Sequence, residues 1–141
     1  MILTLTSGPE AARQGLAAVR TAFLARDMSE DAISSVQMVL AEAFNNVVEH
    51  AYGEVPGGWI ELHAALERVG SGWSARFDLY DQGRAMPDDE LPAGLPAEVD
   101  VATQDLPEGG FGWFLIRELT QDLHYARSDG HNHLSFRMVL P

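Results

Sequence analysis

A chain of 141 residues that is 46% hydrophobic can build one packed core, and it reads as a single domain over residues 1–141. The absence of cysteine excludes disulfides, thiolate metal sites and thiol chemistry, and fits a reducing cytoplasm. A net charge of −12 argues against nucleic acid or an anionic membrane surface as partner, the N-terminus has no signal-like run, and no window approaches the roughly 18 apolar residues of a membrane span.

Ile2 to Thr6 alternates apolar and polar residues, which predicts a short strand. Ser7-Gly8-Pro9-Glu10 reads as a helix start, and Leu16, Val19, Phe23 and Leu24 give the stripe of a first helix ending near Arg26. Ser29-Glu30-Asp31 opens a second helix that runs to about Ala51, with Ile33, Val36, Leu40, Phe44 and Val47 on its core face. Along it Glu42, Asn46 and His50 recur every fourth residue and therefore share one face. Burying such a polar row is costly unless something occupies it, and a hydrated metal or a phosphate is a natural occupant. Glu42 can take a proton or orient a nucleophile, and the Asn46 amide oxygen can ligate a hard cation such as Mg²⁺. His50 on its own is more simply a core or helix-end histidine.

Tyr52-Gly53 and Pro56-Gly57-Gly58 break the chain. Trp59 to Arg68 and Trp73 to Tyr80 are strand patterns joined by Val69-Gly70-Ser71-Gly72, a hairpin. Asp81-Gln82-Gly83 follows. An Asp there can accept a hydrogen bond from an exocyclic amine while Gly lets a ring approach the backbone, although Asp-x-Gly also marks ordinary turns. Residues 83–110 are rich in proline and glycine and show no period beyond a possible short turn at Asp88 to Leu91. Seven acids against the single base Arg84 concentrate half of the net charge in residues 84–108. That is either a solvated loop or a docking surface or mobile cover.

Glu108-Gly109-Gly110-Phe111-Gly112 feeds an apolar helix predicted over Gly112 to Leu123. Glycine-freed amides and a helix N-terminus make an anion cradle, though not a Walker A loop or a dinucleotide fingerprint, and a plain hinge is the alternative. Leu123 to Arg127 and Leu134 to Leu140 close the chain as strands around Ser128-Asp129-Gly130. His131 and His133 share a strand face with no third metal ligand nearby, which leaves a surface hairpin. The element order is that of an α+β fold: a two-layer α/β sandwich of a mainly antiparallel sheet covered by helices, with a long lid.

Glu-x-x-x-Asn-x-x-x-His, then Asp-x-Gly after a hairpin, then a Pro/Gly-rich lid, then Gly-Gly-Phe-Gly-Trp-Phe-Leu-Ile resembles the histidine-kinase-like ATPase (Bergerat, or GHKL-like) fold over nearly the whole chain. The wording Glu-Ala-Phe-Asn-Asn-Val-Val-Glu-His-Ala-Tyr, the small size and the lack of a phosphoacceptor domain look like the anti-sigma-factor serine/threonine kinases of bacterial partner-switching systems. That resemblance implies ATP and Mg²⁺ as cofactors, with Glu42 as general base and Asn46 on the metal. Asn45 and His50 would support the nucleotide pocket. Asp81 would hold the adenine amine with Gly83 flanking the ring, and Gly109, Gly110 and Gly112 would line the phosphates. The implied partners are a sigma factor or similar regulator and an anti-sigma-factor antagonist protein, with a homodimer possible. Three departures stand out. Ala85 replaces the usual second glycine after the adenine Asp, the acidic lid offers a phosphate only Arg84, and Gly130-His131-Asn132-His133 stands where the family often has a threonine near the adenine. The alternatives are a non-enzymatic partner switch of the same fold and an α/β domain with no nucleotide site.

Overall fold

A computed structural model describes residues 1–93 and 110–141, with side chains of the second segment from Gly112. Five strands form one antiparallel sheet: β1 (Ile2–Thr6), β2 (Trp59–Val69), β3 (Gly72–Asp81), β4 (Gln121–Ser128) and β5 (His131–Leu140), in the order β1-β2-β3-β5-β4. Helices α1 (Ala11–Leu24), α2 (Glu30–Asn46) and α3 (Gly110–Leu119) complete an α+β fold. Period-two alternation turns Phe77 and Leu79 of β3 and Leu134, Phe136 and Met138 of β5 into the core, where Phe77 meets Phe136 at 5.3 Å and Phe23 of α1 at 6.1 Å. The same alternation brings two polar residues inward at the end of these rows: Asp81 and Asn132 are register partners, and both are buried. On the opposite face Tyr80 stacks on His133 at 4.4 Å, and His133 Nε2 lies 2.7 Å from Asp78 Oδ1.

Predicted helix boundaries move where tertiary contacts compete with local signals. The Ser7 hydroxyl donates to Val55 O and accepts from Gly58 N–H, so it serves the sheet instead of capping α1, which begins at Ala11 after an uncapped Glu10. The second helix does reach Ala51, but its last turn, Val47–Ala51, is a π-turn closed by Tyr52 N–H to Val47 O. The third helix stops at Leu119 instead of Leu123: Gln121 already pairs with Arg137, Asp122 adopts a positive φ of 55°, and a register shift falls between Gln121 and His124. The expected turn at Asp88 to Leu91 is a 3₁₀ turn at Pro87–Asp89. The expected lid falls largely on residues 94–109, outside the described residues. Among the described residues, no helix is long and apolar enough to cross a membrane.

Helix α2 is capped by Ser29, whose side chain accepts from Ala32 N–H, and carries Glu30 and Asp31 in its first turn. Its apolar face, from Ile33 to Phe44, is fully buried. Helix α1 approaches it closely at Gly15, where an added Cβ would lie 2.7 Å from the Phe44 ring and 2.9 Å from Leu5 Cδ1. Gly15→Val should therefore overpack the α1–α2–β1 junction and lower unfolding stability by about 2 kcal/mol, read by urea denaturation. Unchanged stability would mean that Phe44 has room to swing away.

Candidate functional site

The site grows from α2. Its buried face fixes the helix on the core, so the row Glu42, Asn46 and His50 projects into the gap between α2, α3 and the ends of β3 and β5. The π-turn carries the row past Asn46, and Tyr52 ties that turn to the sheet. Its hydroxyl donates to Trp59 O at 2.6 Å and accepts from Gln82 N–H at 2.8 Å, and burial raises its pKa above the usual phenol value. One side chain thus sets the distance between the α2 end and the Asp81 turn.

Two chambers open there and share a wall of Asn46, His50 and Trp113. The larger, about 470 Å³, is mostly apolar, with Leu79, Met86 and Leu134 among its lining together with the buried Asp81. An apolar lining with one buried carboxylate suits a flat heteroaromatic ring. The smaller, about 130 Å³, is lined by Glu42, Asn45, Glu49 and Gly112 beside the shared wall. Gly112, in the first turn of α3, approaches Glu42 so closely that a Cβ would lie 2.4 Å from Glu42 Oε2. Glycine there sets the backbone of a helix N-terminus against the carboxylate, where first-turn amides lack helical partners.

Asp81 is 4% exposed, and its Oδ1 accepts from Gly83 N–H and from Asn132 Nδ2, each at 2.8 Å. Burial pushes its carboxyl above the ordinary range, with Asn132 and Gly83 acting in the opposite direction. Asn132 also donates to Arg84 O at 2.8 Å, and its Oδ1 accepts from Tyr125 Oη and from Arg127 Nη1. Tyr125 Oη in turn accepts from Met86 N–H. This network pins the chain after β3 to the β4–β5 hairpin.

The structure therefore brings Glu42, Asn45, Asn46, His50 and Gly112 to one chamber, and Asn46, His50 and Asp81 to the other. Gly110 begins α3, and Gly109 lies outside the described residues. Gly83 lines neither chamber: a Cβ would lie 2.4 Å from Ala51 O, so its glycine serves contact with the α2 end. Arg84 closes that end, with its N–H on Ala51 O and its Nη2 on His50 O, the C-terminal carbonyls of the π-turn. Sequence reasoning missed Asn132, Tyr125 and Tyr52. Asn132 was detectable as an amide in phase with Leu134, Phe136 and Met138, but the flanking histidines drew attention to the other face. His131 and His133 contact Gln82 and Asp78 there. Among the described residues, no group of three or more His, Asp or Glu side chains forms a metal site unaided.

The sequence matches the histidine kinase-like ATPase domain family over residues 5–138. It is 32% identical over 101 residues to the serine-protein kinase RsbW of Halalkalibacterium halodurans, covering 71% of this chain and 59% of that protein. It is 35% identical over 95 residues to the serine/threonine-protein kinase BtrW of Bordetella bronchiseptica, covering 67% and 61%. A Bacillus cereus RsbW serine-protein kinase matches at 26% over 101 residues, covering 71% and 60%. The matched region spans about three-fifths of the length of these curated relatives.

Asp81→Asn should abolish adenine-nucleotide binding while the fold survives, because an amide sets a donor against the adenine amine. The folded-state pKa of Asp81 is raised, so its contribution to stability is complete at low pH and is lost as pH rises through that pKa. As pH rises above about 4, the wild type should lose melting temperature relative to Asp81→Asn. Parallel melting curves, or unchanged ATP affinity, would make Asp81 only a turn residue.

Proposed function

This chain belongs to the histidine kinase-like ATPase family, a membership that implies ATP use, and from it we propose an ATP- and Mg²⁺-dependent serine/threonine protein kinase. It acts as an anti-sigma regulatory factor in the cytoplasm, with residues 1–141 as one ATP-binding domain. Its partners are a sigma factor or similar regulator and a small antagonist protein, which it phosphorylates. One observation carries this reading: the larger, mostly apolar chamber lined by Asp81 and the small chamber lined by Glu42 share a wall of Asn46, His50 and Trp113. A nucleotide laid across that wall has its base at Asp81 and its polyphosphate at Glu42, Asn46 and the α3 N-terminus. The kinase names of the matched relatives support the same reaction.

The donor set fits a hard cation. Asn46 would hold it through its amide oxygen, in the chamber beside the α3 N-terminus. Bound Mg²⁺ supplies charge neutralisation of the β- and γ-phosphates. The protein's own residues position and deprotonate. Transfer forms a bond from the acceptor serine or threonine oxygen to the γ-phosphorus and breaks the bond to the β–γ bridging oxygen. Glu42 takes the hydroxyl proton, and ADP leaves. Gly112 keeps the α3 backbone close without filling the space that the phosphates need.

A non-enzymatic switch is the second reading, favoured by the placement of the arginines. Arg84, Arg117 and Arg127 beside the chambers are each bound to a backbone carbonyl, of His50, Pro92 and Gly83 respectively. Glu42→Ala separates the two. If Glu42 is the base, the variant should keep ATP and partner binding and lose phosphorylation of the antagonist by roughly 10²-fold or more. The assay uses labelled ATP with candidate antagonist proteins from the same genome. Wild-type protein that binds ATP but phosphorylates no candidate would favour the switch. Asn46→Ala should weaken ATP binding with Mg²⁺ far more than without it, by calorimetry. Equal losses in both conditions would give Asn46 a packing role.

A further inference from the structure

Asp81 does not, as a bare carboxylate, choose adenine. An ionised carboxylate only accepts, with two oxygens side by side. Guanine offers two adjacent donors, its N1–H and its 2-amine, a fork that both oxygens of a free carboxylate would match better than adenine's single 6-amine. Something must remove one of the two oxygens for adenine to win.

Both hydrogen bonds that Asp81 accepts among the described residues go to Oδ1, from Gly83 N–H and from Asn132 Nδ2. Two donors saturate that oxygen, while Asp81 also lines the larger chamber. The Asn132 amide cannot turn over. Tyr125 Oη and Arg127 Nη1 both donate to its Oδ1, and Arg84 O accepts from its Nδ2, so a flipped amide would set donors against donors and an oxygen against a carbonyl. We infer that Asn132 is a specificity-determining residue: by holding Asp81 Oδ1 it leaves the chamber a single accepting oxygen, which suits a base with one exocyclic amine and rejects the two-donor fork of guanine. The inference rests on the nucleotide-site reading above and names the residue that makes that site adenine-selective.

The test reads affinity for four nucleoside triphosphates, those of adenine, 2,6-diaminopurine, guanine and hypoxanthine (ITP), by calorimetry with Mg²⁺. Wild-type protein should bind the two that carry a 6-amine. It should bind GTP and ITP weakly and about equally, because the 2-amine of guanine finds no second oxygen. Asn132→Leu, which is close in volume and donates nothing, frees Oδ1. GTP should then gain about tenfold over ITP, the effect of roughly one charge-assisted hydrogen bond. Tyr125→Phe, which only loosens the amide, should shift the same ratio in the same direction by a smaller factor and keeps the experiment decisive if the leucine variant does not fold. A purely structural Asn132 would weaken all four nucleotides together and leave the GTP/ITP ratio at its wild-type value, which would overturn the inference. Wild-type protein that binds GTP well above ITP would overturn it too, with the nucleotide site intact. Wild-type protein that binds none of the four would remove the underlying site and the inference with it.

Discussion

The constraint on which this site depends is the burial of one carboxylate. Asp81 continues the inward row of β3 behind Phe77 and Leu79, so strand alternation drives it into the protein whether or not its chemistry suits an interior. A buried carboxylate without partners is far costlier than a surface one. Its neighbours are arranged around that cost. Gly83 N–H turns back onto Oδ1 within two residues, and Asn132 reaches it from the register-paired position on β5. Further connections at this end of the sheet lead from those two residues and their neighbours. Gly83 O receives Arg127, Arg84 O receives Asn132, and Tyr125 links the same amide to Met86 N–H.

The second chamber obeys a different logic, that of a helix with two obligations. Its apolar stripe is fully buried against the sheet and α1, and that fixes the direction in which Glu42 and Asn46 face. A straight α-helix would end with unpaired carbonyls near Ala51. Instead the π-turn and Tyr52 bring His50 O and Ala51 O to the Arg84 guanidinium and N–H, so the residues after Asp81 cap the helix that carries Glu42 and Asn46. The two chambers are held in register by backbone contacts between Ala51, Gly83 and Arg84. They cannot move apart without breaking a helix cap.

Much of this was legible beforehand, and the residues that were not share a cause. Strand alternation and the helical stripe gave the strands and the three helices, though not the order of the strands in the sheet, because those signals are set by burial, which the chain cannot evade. The row Glu42, Asn46 and His50 was visible because its period matches the helix. Boundaries failed where tertiary bonds competed with local signals: Ser7 looked like a cap but is claimed by Val55 and Gly58, and the tail of the third helix was taken by strand pairing at Gln121. Gly83 is required by its contact with Ala51 O, a constraint that no local signal announces. Asn132 and Tyr125 escaped because their meaning lies in a partner about fifty residues away in one case and seven in the other, separations that no local period encodes.

Charge decides how such a pocket can hold a polyphosphate at all. The net charge of −12 matters less than it seems, since exposed charges beyond about 8 Å are largely screened at physiological salt. Local supply is what counts. Every cation in this chain is an arginine, and the three beside the chambers are committed to carbonyls, two of them in holding the chain after β3 in place. Freeing Arg84 for a phosphate would uncap the α2 end, and freeing Arg127 would loosen the amide that occupies Asp81. The guanidinium groups are therefore structural elements around Asp81 before they are counter-charges. On the proposed function, neutralisation of a polyphosphate would fall to a divalent cation at Asn46 and to the first turn of α3, held against Glu42 by the missing side chain of Gly112. In this reading the cation is the counter-charge that the architecture leaves open.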